Sequence, residues 1–128
     1  MRILLKILLG FITLWSVVVF FNYTRSKRKA EQGNPEEQYR LGCMYGDLGK
    51  YNLAEKYLLL ASEQKYVEAQ CGLGLLYANQ EKYDLAEKYL LLASEQGSVE
   101  ARNGLGILYE AQGKYDLAKK YFNLSNKH

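Results

Sequence analysis

The stretch Lys50-Tyr51-Asn52-Leu53-Ala54-Glu55-Lys56-Tyr57-Leu58-Leu59-Leu60-Ala61-Ser62-Glu63-Gln64 returns 32 residues later, at 82–96, with Asn52 against Asp84 as the one difference. A third copy opens as Lys114-Tyr115-Asp116-Leu117-Ala118 and then diverges. The residues ahead of each copy repeat as well, as Leu41-Gly42-x-x-Tyr45, Leu73-Gly74-x-x-Tyr77 and Leu105-Gly106-x-x-Tyr109. A fixed period of this length marks stacked copies of one supersecondary unit, since one unit alone cannot bury its apolar face.

Each unit reads as two helices. The first is expected over residues 36–48, 68–79 and 100–111, the second over 53–64, 85–96 and 117–126. Asn34-Pro35-Glu36-Glu37 supplies an N-cap, a proline at the first helical position and an acid three residues on. Asn52 with Glu55, and Asp84 with Glu87, predict capping boxes at the second helices. Gly33 and Gly97 stand where a helix stops on a residue of positive φ, and Lys65 replaces them between the first two units. Within the second helix, Leu53, Ala54, Tyr57, Leu58, Leu60 and Ala61 recur at spacings of three and four and predict one buried stripe. Leu41, Met44 and Tyr45 answer from the first. Gly42, Gly74 and Gly106 each cost about 1 kcal/mol in a helix interior, which predicts close approach of Ala54, Ala86 and Ala118. Leu59 and Leu91 fall off the stripe and predict an exposed convex patch. In the last copy Asn123 and Ser125 stand in place of Leu91 and Ala93, as a solvent-facing end unit requires.

Charge divides the chain. Residues 1–29 hold six of the 17 basic residues and no acid, leaving 11 against all 14 acids, a net −3, on the remainder. A mildly acidic body is the wrong sign for nucleic acid, whose phosphates need a basic face. From Ile7 to Phe21 no residue is charged, and the apolar run from Ile3 to Tyr23 is broken only by Lys6. Helical rise gives that run about 30 Å, enough for a bilayer core. Residues 1–24 are therefore expected to form a transmembrane helix or signal anchor. A cleaved signal peptide is the rival, but the one small-x-small pair nearby, Thr24-Arg25-Ser26, sits in a basic cluster. Four basic residues flank the C-terminal side (Arg25, Lys27, Arg28, Lys29) against Arg2 and Lys6 on the other, which favours repeats on the cytoplasmic side, the periplasmic side close behind. The expectation is a single-pass protein of the bacterial inner (plasma) membrane. Residues 30–34 align with 94–98, the end of a second helix. The anchor helix should thus continue through the basic stretch 25–33 to about Gln32 and stack on the first unit.

The pattern Leu41, Gly42, Tyr45, Ala54, Leu58 and Ala61, with its equivalents in the next copy, resembles the tetratricopeptide repeat. The linkers Ala61-Ser62-Glu63-Gln64 and Ala93-Ser94-Glu95-Gln96-Gly97 are similar to those of the Sel1-like branch. The period is 32 rather than 34, with the shortening in the linker between units, and the loop inside each unit is short for a Sel1-like repeat. The resemblance covers about residues 30–125. It implies an all-α, short right-handed α-solenoid of three helix-turn-helix repeats of period 32 (about 34–65, 66–97 and 98–128) preceded by a transmembrane helix. It also implies a scaffold or adaptor that binds a protein or peptide in a concave groove lined by first helices. The groove residues would be Glu36, Tyr39, Cys43 and Asp47, then Glu68, Cys71, Leu75 and Asn79, then Glu100, Asn103, Ile107 and Glu110. Small membrane-tethered Sel1-like proteins also resemble immunity partners that neutralise toxins, and this is the alternative.

Catalytic signals are lacking. The only histidine is His128, so no Ser-His or Cys-His pair exists, and no HExxH, P-loop or metal-ligand spacing occurs. Gly72-x-Gly74 and Gly104-x-Gly106 lie in expected helices and follow no strand, unlike a dinucleotide loop. Cys43 and Cys71 read as small buried residues. No enzyme, cofactor or metal is expected. Glu36, Glu68 and Glu100 recur at helix starts, where acids complement the dipole. Nine of twelve tyrosines fall at three repeat positions (Tyr45, Tyr51, Tyr57 and equivalents) and read as architecture, whereas Tyr39 and Tyr66 break the pattern and predict exposed contacts.

Overall fold

A computed structural model describes residues 1–127, leaving His128 outside the described residues. Its elements are α1 (Arg2–Glu31), α2 (Pro35–Asp47), α3 (Tyr51–Glu63), α4 (Val67–Asn79), α5 (Tyr83–Glu95), α6 (Val99–Ala111) and α7 (Tyr115–Ser125). All regular structure among the described residues is helical. Helices pair as α2 with α3, α4 with α5 and α6 with α7, and the pairs stack in chain order.

The turns are built alike. Each passes through one residue in the left-handed region: Gly33, Gly49, Gly97 and Gly113 at φ between 75° and 95°, Lys65 and Glu81 at 60°. The amide that follows bonds back to the last helical turn, as in Lys50 N to Tyr45 O at 2.8 Å and Ser98 N to Ala93 O at 3.1 Å. Asn34 caps α2, its side chain accepting from the Glu37 amide, with Pro35 at the first position. The expected capping boxes of the second helices do not form. These helices begin at Tyr51, Tyr83 and Tyr115, and Lys50, Lys82 and Lys114 at the cap positions make no side-chain cap bond. The tight turn starts each helix early enough to carry Asn52 and Asp84 inside its first turn. Glu55 and Glu87 instead accept from the hydroxyls of Tyr77 (3.0 Å) and Tyr109 (2.9 Å).

The core is a column of Leu and Ala. Leu41, Tyr45, Ala54, Tyr57, Leu58 and Ala61 are buried in the first unit, and Leu73, Leu90 and Leu105 are the largest fully buried side chains. Three expectations need correction. A Cβ on Gly42 or Gly74 would meet the Cγ of Leu58 (2.6 Å) or Leu90 (2.5 Å), while Ala54 and Ala86 approach only through their carbonyl oxygens. The glycines therefore make room for a leucine of the paired helix, and for Phe122 at Gly106. Secondly, Leu59 and Leu91 pack against the core, and Leu53, Leu60, Leu85, Leu92 and Leu117 are exposed. A second helix touches first helices on two sides, which rotates its buried face toward residue 59. Thirdly, Ser125 is buried, its hydroxyl donating to Phe122 O at 2.7 Å; Asn123 is exposed.

α1 is one unbroken helix. Its last turns pack on α2 in the place a second helix occupies against the next unit. Ala30 is buried, Gln38 Nε2 donates to Ala30 O (3.0 Å), and Gln64 Nε2 donates to Gly33 O (2.9 Å). Tyr23 bonds Tyr45 through their hydroxyls at 2.7 Å, in the place where Glu55 meets Tyr77. Asn22, Ser26 and Lys29 stand in register with Ala54, Leu58 and Ala61, so this contact is more polar and leaves a hollow of about 610 Å³ over Leu41 and Met44. The apolar remainder of α1 is long enough to cross a membrane and none of it is buried within the protein.

Candidate peptide-binding groove

Successive first helices, α2, α4 and α6, touch one another along one face. Between them lies an open groove of about 550 Å³. Five expected residues line it together: Tyr39 from α2, Glu68, Cys71 and Leu75 from α4, and Glu100 from α6. Val67, Gly72, Gln96, Gly97, Ser98 and Val99 complete the wall and were not anticipated. Three of these, Gln96, Gly97 and Ser98, form the turn before α6, whose start is signalled by Ser98, its hydroxyl accepting from the Ala101 amide at 3.1 Å.

The other expected residues lie outside this groove. Cys43 is half-buried beneath Tyr39, and Glu36 is exposed and bonded to Arg40 at 3.0 Å. Asp47, Asn79, Asn103, Ile107 and Glu110 are exposed and are not among the lining residues. Asp47, Asn79 and Glu110 sit at helix C-termini, whereas the groove reaches no further along the first helices than Leu75. Glu110 is also one residue out of step with Asp47 and Asn79, whose counterpart at the 32-residue period is Ala111. Leu75 is 50% exposed and Ile107 61%, so one repeat position presents bare apolar surface on successive first helices.

The groove combines acid with aromatic surface. The Tyr39 and Tyr66 rings lie 5.6 Å apart and tilted, which leaves both half-buried rather than free. The hydrogen bond to Cys43, aided by burial, pushes the Tyr39 hydroxyl up to about 12. Burial pushes both thiols up, Cys71 also under the nearby Glu100 and Glu68 carboxylates, so neither is an activated nucleophile. Among the described residues no group of three His, Cys, Asp or Glu side chains could hold a metal. This geometry suits noncovalent recognition of a cationic or mixed peptide.

The sequence profile of the tetratricopeptide repeat matches residues 38–65, 67–95 and 99–127. The chain belongs to the tetratricopeptide repeat family. No curated protein sequence matches it significantly. Among solved structures, a crystal structure of MamA is similar at a TM-score of 0.68 and 27% identity, over 73% of this chain and 57% of that one. The chain thus spans little more than half the length of that protein. Tetratricopeptide repeats generally mediate protein–protein contacts and are typically non-catalytic, in keeping with a groove that offers shape, charge and apolar surface.

Proposed function

We propose that this tetratricopeptide repeat protein is a membrane-anchored scaffold that holds an extended peptide or a helix of a partner protein in the groove between α2, α4 and α6. The observation that carries the reading is the convergence of Tyr39, Glu68, Cys71, Leu75 and Glu100 on one open surface. An apolar strip flanked by acids selects a ligand with apolar anchors and basic flanks. α1 is the anchor, and the excess of basic residues at 25–29 over Arg2 and Lys6 favours repeats on the cytoplasmic side.

Crosslinking capture from membranes with the full chain tests this. Combined Tyr39→Ala, Glu68→Gln and Glu100→Gln should cut partner recovery at least tenfold with unchanged helical circular dichroism. Undiminished capture would show that partners bind elsewhere. Protease added to intact cells should leave the repeats uncut, and to inverted vesicles should clip them; the reverse pattern puts them on the far side.

A further inference from the structure

A tether and a rigid mount differ in where they leave the repeats, and the register of α1 on α2 decides between them. The contacts Ala30 with Gln38 and Tyr23 with Tyr45 set the two helices antiparallel and carry Leu48 to the level of Phe20. α1 therefore overhangs the solenoid at one edge, where the first helices end and α3, α5 and α7 begin. Residues 3–20 give a helix only about 27 Å long, slightly less than the hydrocarbon thickness of roughly 30 Å. A bilayer that takes up this segment reaches the level of the turn Leu48-Gly49-Lys50.

That edge has an interfacial composition. Tyr51, Tyr83 and Tyr115 recur on it at 47%, 41% and 70% exposure, although their periodicity reads as architecture. Leu48, Leu53, Leu85 and Leu117 are exposed beside them, as are Lys50, Lys82 and Lys114. Tyrosine and lysine are the side chains that settle between hydrocarbon and water. The opposite edge, Gln32-Gly33-Asn34, Gln64-Lys65-Tyr66 and Gln96-Gly97-Ser98, is more polar, its one tyrosine half-buried against Tyr39 and Val99 exposed beside it.

We infer that the turn edge of the solenoid, from Leu48 and Tyr51 to Tyr83 and Leu85, lies in the headgroup layer of the bilayer that α1 crosses. This rests on the reading of α1 as membrane-spanning. The stack of units then runs parallel to the membrane plane, and the groove faces a partner segment held close to the surface. Asp47, Glu81, Asp84 and Asp116 offset the lysines, so partition of tyrosine and leucine holds the edge down, and contact does not require anionic lipid.

The test uses the full chain with Cys43→Ala and Cys71→Ala, carrying one new cysteine at a time: Leu14→Cys, Leu48→Cys, Tyr83→Cys or Glu95→Cys. Each is labelled with an environment-sensitive fluorophore in phosphatidylcholine vesicles, after its circular dichroism matches the parent, and challenged with nitroxide lipids. Labels at 48 and 83 should be quenched at least threefold more by headgroup-level nitroxide than the label at 95, with 14 quenched by a mid-chain nitroxide. Quenching at 14 with 48 and 83 no different from 95 overturns the docked edge and leaves the anchor intact. Quenching at 48 but not at 83 overturns an edge extending beyond the first unit. No quenching at 14 overturns the spanning helix and the docked edge with it.

Discussion

Gly74 shows how a single position sets the spacing of a unit. A Cβ there would stand 2.5 Å from Leu90 Cγ, and Leu90 is among the most deeply buried side chains of the molecule. Gly74→Ala gains about 1 kcal/mol of helix propensity, but overpacking a filled core costs about 1–3 kcal/mol. The expected outcome is a net loss in urea-melting stability. A gain would mean that Leu90 can move aside without loss. Lys65 and Glu81 present the opposite case, since both adopt φ of 60° in turns where the equivalent residue elsewhere is glycine. Lys65→Gly and Glu81→Gly should each raise stability by up to about 1 kcal/mol, the strain of a left-handed side-chain-bearing residue. A shift of the melting midpoint to higher denaturant checks it.

α1 is the element whose role extends furthest beyond its composition. Its last turns give the first unit the neighbour that α3 gives the second. A chain beginning at Asn34 forfeits the bonds to Ala30 O and Gly33 O and the Tyr23–Tyr45 contact. At about 1 kcal/mol for each bond, and 4–8 °C per kcal/mol in a domain of this size, it should melt about 12–24 °C below a chain beginning at Asn22. Equal melting temperatures would reduce α1 to a passive tether. Repetition made the helix pairs legible in advance, because a residue type that returns every 32 positions returns to the same contact. Features that depend on a partner outside the helix were less legible. Asn52 with Glu55 has the spacing of a cap, yet Glu55 is claimed by Tyr77, 22 residues away. Helical periodicity gives one stripe, whereas α3 packs against both α2 and α4, so Leu59 turns inward and Leu60 outward. Five of the residues that line the hollow between α2, α4 and α6 were expected there from the family resemblance, which turns first helices toward one surface. The turn at Gln96-Gly97-Ser98 was not, because its place in the wall depends on how the units stack.

Across the whole molecule the units are joined by a ladder of tyrosines. Tyr45, Tyr77 and Tyr109 each reach from a first helix to the preceding second-helix position, meeting Tyr23, Glu55 and Glu87. Each also lies against a tyrosine of its own unit, with ring centroids 5.6 to 5.7 Å apart. Burial first, and then donation to a glutamate, raise the hydroxyls of Tyr77 and Tyr109; the bond to Tyr23, and then burial, push Tyr45 up to about 12. The folded chain therefore prefers these hydroxyls protonated, more strongly than the unfolded chain, where tyrosine titrates near 10. Their contribution is fully present below about pH 10 and is lost as pH rises toward the folded values, at up to about 1.4 kcal/mol per pH unit for each group. Thermal melting should hold steady from neutral pH to about 9 and fall steeply above 10. Because neighbouring units stabilise one another, removing one rung should be felt beyond its own interface. Tyr77→Phe should cost about 1 kcal/mol at pH 8 through the lost bond to Glu55, and it should flatten the alkaline decline because one titrating group is gone. A parental and a Tyr77→Phe chain that lose stability with the same slope above pH 10 would show that the ladder does not couple the stack to proton uptake.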